Sequence, residues 1–173
     1  MHRRVFLSAL ALACAPAQRP VSATTTSTGS AIDSVVLERT VCFGTCPAYR
    51  LSLTRTGLVR FVSRNPGDTI SAVDSVPAAT ADSIRSWAER AGFFALPDSI
   101  DNGAPLCPDF ATDHPTIILS IYGRPTKRVH YYTGCYLRSD HTTHPVLESL
   151  ARLASRIDSA TQARRWIHPA RRR

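Results

Sequence analysis

The sequence predicts an α+β domain in two layers, an antiparallel sheet of about six strands with two helices packed on one face. Three observations lead there. Two-residue alternation of apolar side chains dominates residues 35–76 and 116–132, whereas the 3.6-residue period occurs near 78–91 and 145–160. The order is therefore four strands, a helix, two strands and a helix. Strands that follow one another are joined by hairpin-length turns, too short for the crossover that a parallel pair needs.

Val35, Val36 and Leu37 mark the first strand. Next comes Cys42-Phe43-Gly44-Thr45-Cys46-Pro47-Ala48-Tyr49, a corner built from two cysteines, a glycine and a proline. Gly44 permits a positive φ in a tight turn. Pro47 fixes its own φ and pushes Cys46 toward extended geometry. Ala48 to Thr54 places Tyr49, Leu51 and Leu53 on one face, so it reads as a half-buried strand entered through a rigid corner. Thr54-Arg55-Thr56-Gly57 is a hairpin turn. Leu58 to Val62 returns as a third strand, and Asn65-Pro66-Gly67-Asp68 turns again. Thr69 to Val76 alternates with polar residues, as a strand with one wet face or at a sheet edge does.

Ala81, Ile84, Ala88 and Ala91 then share a helical face, with Trp87 beside them and Gly92 as the stop. Trp87, Phe93 and Phe94 read as core rather than as a ligand platform. Residues 97–115 contain Pro97, Gly103, Pro105, Pro108 and Pro115 and predict a loop without regular structure. A loop of that length carries function or needs a staple. Thr116 to Tyr122 is an apolar central strand. Gly123-Arg124-Pro125 turns the chain, and Lys127 to Tyr132 returns antiparallel to it. Pro145 suits the first position of a helix, whose buried face is Val146, Leu150, Leu153 and Ile157.

The two ends read differently from the middle. Met1-His2-Arg3-Arg4 is positive, and Val5 to Ala13 is apolar but too short to span a bilayer. Leu10-Ala11-Leu12-Ala13-Cys14 resembles a bacterial lipobox, in which the cysteine becomes the lipidated first residue. The alternative is ordinary signal cleavage near Ala15-Pro16-Ala17 or at Ala23. Both lead to an exported protein in an oxidising compartment. With the lipobox, a lipid anchor at Cys14 attaches the chain to a bacterial membrane in the cell envelope; with ordinary cleavage it is secreted or periplasmic. The resulting organisation is a signal segment over 1–14, a Thr/Ser-rich tether over 15–31, a globular domain over 32–168 and a basic tail over 169–173.

The formal charge is +8, from 21 basic and 13 acidic residues. Seven of the basic residues stand at the ends: Arg3, Arg4, Arg164, Arg165, Arg171, Arg172 and Arg173. Without them 14 basic residues face 13 acidic ones, so the body is nearly neutral. No basic stripe for nucleic acid follows from that balance, and no nucleic-acid partner is expected.

Val36-Leu37-Glu38-Arg39 followed by the cysteine corner resembles the opening of the uncharacterised bacterial DUF6438 domain. Ala91-Gly92-Phe93-Phe94-Ala95-Leu96, Thr112-Asp113-His114-Pro115-Thr116, Val129-His130-Tyr131-Tyr132-Thr133-Gly134 and Arg165-Trp166-Ile167 resemble later stretches of that family, in order. The likeness covers residues 34 to 167. It implies an exported or lipid-anchored protein and brings no activity, cofactor or partner with it. Cys107 and Cys135 depart from the commoner family pattern, in which an acid often follows the glycine of Gly134-Cys135. Two extra cysteines, one in the long loop and one at a strand end, suggest a matched pair. Four cysteines beyond Cys14 allow three connectivities. The expected ones are Cys107–Cys135 and Cys42–Cys46.

Residue chemistry outside that pattern is sparse. A redox or metal role for Cys42 and Cys46 is weakened by their C-x3-C spacing, since thioredoxin-like and zinc motifs use C-x2-C. His141-Thr142-Thr143-His144 beside Asp140 lacks a third ligand at metal spacing, and reads as a loop followed by a helix cap. No metal or cofactor is expected. Asp113 and His130 could form an acid–base pair. With Tyr132 they make the candidate binding surface, beside the strand that the 97–115 loop would flank. The expected function is a non-enzymatic binding or structural module of the envelope with an unidentified protein or small-molecule partner. The alternative is an envelope enzyme or thiol-redox protein using Asp113 and His130 or the Cys42–Cys46 corner.

Overall fold

The computed structural model describes residues 32–137 and 141–167. In chain order the elements are β1 (Ile32–Arg39), β2 (Tyr49–Thr54), β3 (Leu58–Ser63), β4 (Ser71–Ser75), α1 (Ala79–Arg90), β5 (Ser99–Ile100), β6 (Asp109–Phe110), β7 (Thr116–Gly123), β8 (Lys127–Tyr132), β9 (Cys135–Tyr136) and α2 (Pro145–Ala160). Short 3₁₀ turns follow each helix, at Phe93–Ala95 and Ala163–Arg165. Seven strands form one open sheet in the order β4-β3-β2-β1-β7-β8-β5, and β6 and β9 pair separately.

The α+β class and the two helices agree with the periodicity. The sheet has seven strands where about six are expected from the pattern. The difference lies in residues 97–115, expected to be loop, which contain both β5 and β6. Strands of two residues carry no detectable alternation. They exist because a partner meets them: His130 donates its backbone N–H to the carbonyl of Asp98 at 2.8 Å, and Ser99 and Ile100 lie beside His130 and Tyr131. That pairing is also the one parallel contact in the sheet among the described residues. The long excursion from β5 through β6 and β7 gives the chain room to reach it in that sense.

Register decides which face is buried. Val35, Leu53, Val59 and Ile121 line up across strands, and Leu37, Leu51, Phe61, Leu119 and Val129 form the next row. All nine are buried. Both helices cover this face: α1 packs on β1, α2 on β7, and the helices touch each other. The opposite face is wetter, with Arg60 and Arg128 exposed and Glu38 paired to its cross-strand neighbour Arg50. Helix α1 stops at Gly92, which takes φ +71°, a left-handed conformation that glycine adopts without strain. Helix α2 starts as Pro145 predicts, and the His144 ring caps it by accepting the backbone N–H of Val146 at Nδ1, 3.1 Å away. Trp87, expected in the core, is only half-buried at the seam between the helices, under the guanidinium of Arg156.

The expectations for Cys14, for the tether and for the basic tail fall on residues outside those described. So does Asp140, beside the His141-His144 loop. Among the described residues no helix is long and apolar enough to cross a membrane.

Candidate functional site: a cleft below the cysteine corner

The third cross-strand row contains a charge. Arg39 closes β1 in phase with Val35 and Leu37, and its register partners are Tyr49 and Ile117. A guanidinium at that position points toward the helix layer. What receives it is Asp158, in the last turn of α2 and on the same buried stripe as Leu147, Leu150, Ala154 and Ile157.

Three side chains close a ring there. Arg39 Nε donates to Tyr49 Oη at 2.8 Å, Arg39 Nη2 donates to Asp158 Oδ2 at 3.0 Å, and Tyr49 Oη donates to Asp158 Oδ1 at 2.6 Å. The Asp158 side chain is 7% exposed and that of Arg39 20%. Burial pushes the Tyr49 phenol far above its ordinary range, the Asp158 charge pushes it further, and Arg39 only partly opposes them. Tyr49 therefore stays protonated and donates. Burial works against the Arg39 charge, but the oxygens of Tyr49 and Asp158 outweigh it and hold the guanidinium above its usual value. A buried pair of this kind stabilises little against an apolar replacement, but breaking it from one side leaves an uncompensated charge.

Beside the ring the surface opens into a cleft of about 430 Å³. Its floor is Arg39, Tyr49 and Asp158. One wall is the corner itself, through Cys46 and Pro47, continued by Pro115 and Ile117. The other comes from α2 and the turn after it, through Ser155, Arg164 and Ile167. The Cys42–Cys46 disulfide closes the corner with the Cα atoms 5.6 Å apart. Gly44 at its tip takes φ +151°, a conformation that side chains rarely adopt.

Residues 33–157 match the family described as Domain of unknown function (DUF6438). The chain belongs to the DUF6438 family. No curated protein and no solved structure matches it. The DUF6438 match contains the corner, Arg39 and Tyr49, and ends one residue before Asp158.

In this DUF6438 chain the residues singled out from sequence lie mostly elsewhere. Cys107 and Cys135 are joined by a disulfide, both fully buried, with Cα atoms 4.8 Å apart. It ties the 97–115 segment to the start of β9, just beyond the end of β8, and both sulfurs lie within the core. Gly134 is required there by close approach: a Cβ would stand 2.4 Å from the carbonyl oxygen of Ala111. Tyr132 donates its hydroxyl to that same oxygen at 2.8 Å and accepts from the backbone N–H of His114 at 3.1 Å. Its phenol thus holds the loop in place. Asp113 sits at the loop's tip at φ +70°, exposed, with its carboxylate accepting from Thr112 and its carbonyl from the Phe43 backbone.

His130 lies two residues before Tyr132 on the same face of β8, half-buried and opposite Ile118. Among the described residues no hydrogen bond or ion pair joins it to Asp113. The histidines near the loop pack with aromatic rings instead: His114 against Tyr132 and Tyr136, and His141 against Tyr136 with centroids 4.5 Å apart. Among the described residues no group of three or more His, Cys, Asp or Glu is placed to hold a metal ion.

The Arg39–Tyr49–Asp158 ring was not anticipated from the sequence. Its signal is nevertheless present. An arginine stands in phase with the core positions of a strand, and an aspartate stands in phase with the apolar stripe of a helix. Two charges at buried positions of separate elements imply that they meet.

Proposed function

We propose that this DUF6438 chain is an exported, lipid-anchored binding module of the bacterial envelope that receives its ligand in the cleft below the cysteine corner. The observation that carries the reading is the pair of disulfides, one shaping the cleft and one within the core, in a chain whose first residues form a signal-like segment ending at Cys14. Disulfides of this kind persist in oxidising compartments. Binding rather than turnover is favoured by the state of the ring. Both oxygens of Asp158 are occupied by donors from Arg39 and Tyr49, and burial with the neighbouring Asp158 charge holds the Tyr49 phenol protonated, so Tyr49 is not poised to exchange a proton near neutral pH. What the ring does is orient Arg39 at the cleft floor.

The thiol-redox alternative draws on one observation, that Cys46 stands in the cleft wall. Intact mass of the protein from a native envelope fraction, alkylated without reduction, tests both readings. The expected result is a diacylglyceryl-modified Cys14 at the mature terminus and no alkylated cysteine. An unmodified terminus after Ala17 or Ala23 removes the anchor. A Cys42–Cys46 pair found partly reduced, and reoxidised by a small disulfide, puts the thiol-redox reading in its place.

A further inference from the structure

The cleft has more chemistry than the ring requires. Its volume of about 430 Å³ falls within the ordinary span of small-molecule sites, about 300–1,000 Å³. At about 30 Å³ per water-sized group it holds on the order of a dozen non-hydrogen atoms. Three charged groups line it: Arg39, Arg164 and Asp158. Asp158 is committed to Tyr49 and Arg39 on both oxygens. Arg39 uses Nε and Nη2 in the ring, which leaves Nη1 as a donor. Arg164 is exposed and has no ion-pair partner among the described residues, whereas its neighbour Arg165 pairs with Asp74. The lining therefore has a net charge of about +1. Ser155 adds a hydroxyl from the facing helix, and Pro47, Pro115, Ile117 and Ile167 supply an apolar remainder.

From these features we infer that the cleft binds a carboxylate on an apolar body, the carboxylate held between Arg39 and Arg164 and capped by Ser155. This rests on the binding-module reading and names its ligand class. A single negative charge matches the lining. A cation meets two guanidinium groups, and a dianion is left with a surplus charge beside Asp158. A planar carboxylate suits the guanidinium fork, which forms paired, charge-assisted hydrogen bonds. The site is organised in advance: Asp158 and Tyr49 hold Arg39 in position, and the disulfide and two prolines stiffen the opposite wall, so little freedom is lost on binding.

Octanoate has the right charge, length and apolar body to serve as the probe. The protein is the full chain with Cys14→Ser, which removes the candidate lipidation site, purified with both disulfides formed. Titration is followed by the backbone amide resonances of Ser155, Ile117 and Ile167. Octanoate should shift them saturably with Kd of about 1 mM or tighter. Arg164→Ala should weaken binding about tenfold or more without lowering the melting temperature, Arg164→Lys should keep part of the affinity, and Ser155→Ala should cost less than either. Octylammonium should not compete. Equal affinity for octanoate and octylammonium, or an Arg164→Ala variant that binds like the parent, overturns the inference. Saturable binding of octyl phosphate or octylammonium without octanoate overturns the ligand class and leaves the binding module standing. If none of the three probes moves a cleft resonance, both readings fall.

Discussion

The two disulfides do opposite work, and the difference separates the parts of this domain that make a site from those that hold the fold. Cys42–Cys46 spans four residues, is half-buried, and forms part of a cleft wall beside the half-buried Arg39. Cys107–Cys135 spans 28 residues, is fully buried, and anchors a segment whose own sequence could not have ordered it. In chain-entropy terms the long closure removes more freedom from the unfolded chain, about 3.5 kcal/mol against about 2 kcal/mol for the short one. The short bond's contribution is geometric: it keeps Pro47 and Tyr49 in register with Arg39. The residues around the long bond that looked most chemical in sequence, Asp113, His130 and Tyr132, divide the same way. Tyr132 holds backbone and Asp113 forms a turn, while His130 contacts neither Asp113 nor a metal cluster among the described residues.

That contrast can be broken at either end. The largest effect is expected from Cys107→Ser with Cys135→Ser. Loss of the closure and burial of two hydroxyls where sulfur packed should cost about 4 kcal/mol or more. The melting temperature should fall by about 10 °C, and residues 97–115 should become the first site of proteolysis. A variant that melts like the parent would show that β5 and the Tyr132 bonds order the segment unaided.

Next comes Asp158→Ala, which strands Arg39. One-sided removal of a buried pair costs about 3–5 kcal/mol, and the part of Arg39 still in water places this case near the lower bound. Arg39→Met combined with Asp158→Leu should recover most of that loss in a denaturant titration. A double variant as unstable as the single one would mean that the ring contributes packing rather than charge compensation.

Cys42→Ser with Cys46→Ser should cost only about 2 kcal/mol. In exchange it should weaken octanoate binding severalfold, an effect absent from a core variant such as Leu119→Val of comparable stability loss. Equal loss of affinity in both would remove the distinction between site-shaping and fold-holding bonds.

The smallest effect is confined to alkaline pH. Burial pushes the Tyr131 phenol up to about 12, and Tyr49 higher still. Below pH 10 both the folded and the unfolded chain keep these protons. Above it the unfolded chain releases them first, so stability is full below about pH 10 and falls as pH rises toward the folded values. Denaturant midpoints measured from pH 8 to 12 should drop less steeply in Tyr49→Phe and Tyr131→Phe than in the parent, and phenolate absorbance should show both groups titrating late. Parallel slopes in parent and variants would contradict the buried donor role of Tyr49.

Much of this was legible along the chain because it is local. Alternation placed β1, β2, β3, β7 and β8, the i, i+4 pattern from Val146 to Ile157 placed α2 to within its ends, and the glycines and prolines between them placed the turns. The departure of Cys107 and Cys135 from the DUF6438 pattern was enough to name the long disulfide. Each of those inferences sums preferences over a few neighbouring residues, and such preferences survive whatever the rest of the chain does.

The cleft is not of that kind. Arg39 and Asp158 lie 119 residues apart. Whether they meet depends on which face α2 covers, on the register of β1 against β7, and on how far the last turn of the helix overhangs the corner. A strand of two residues such as β5 likewise exists only through the backbone of β8. An out-of-place charge in a buried pattern announces that a partner is needed. Which partner, and what space remains beside it, follow only from the stacking of the two layers, because burial and electrostatic pairing are properties of surroundings rather than of sequence neighbours.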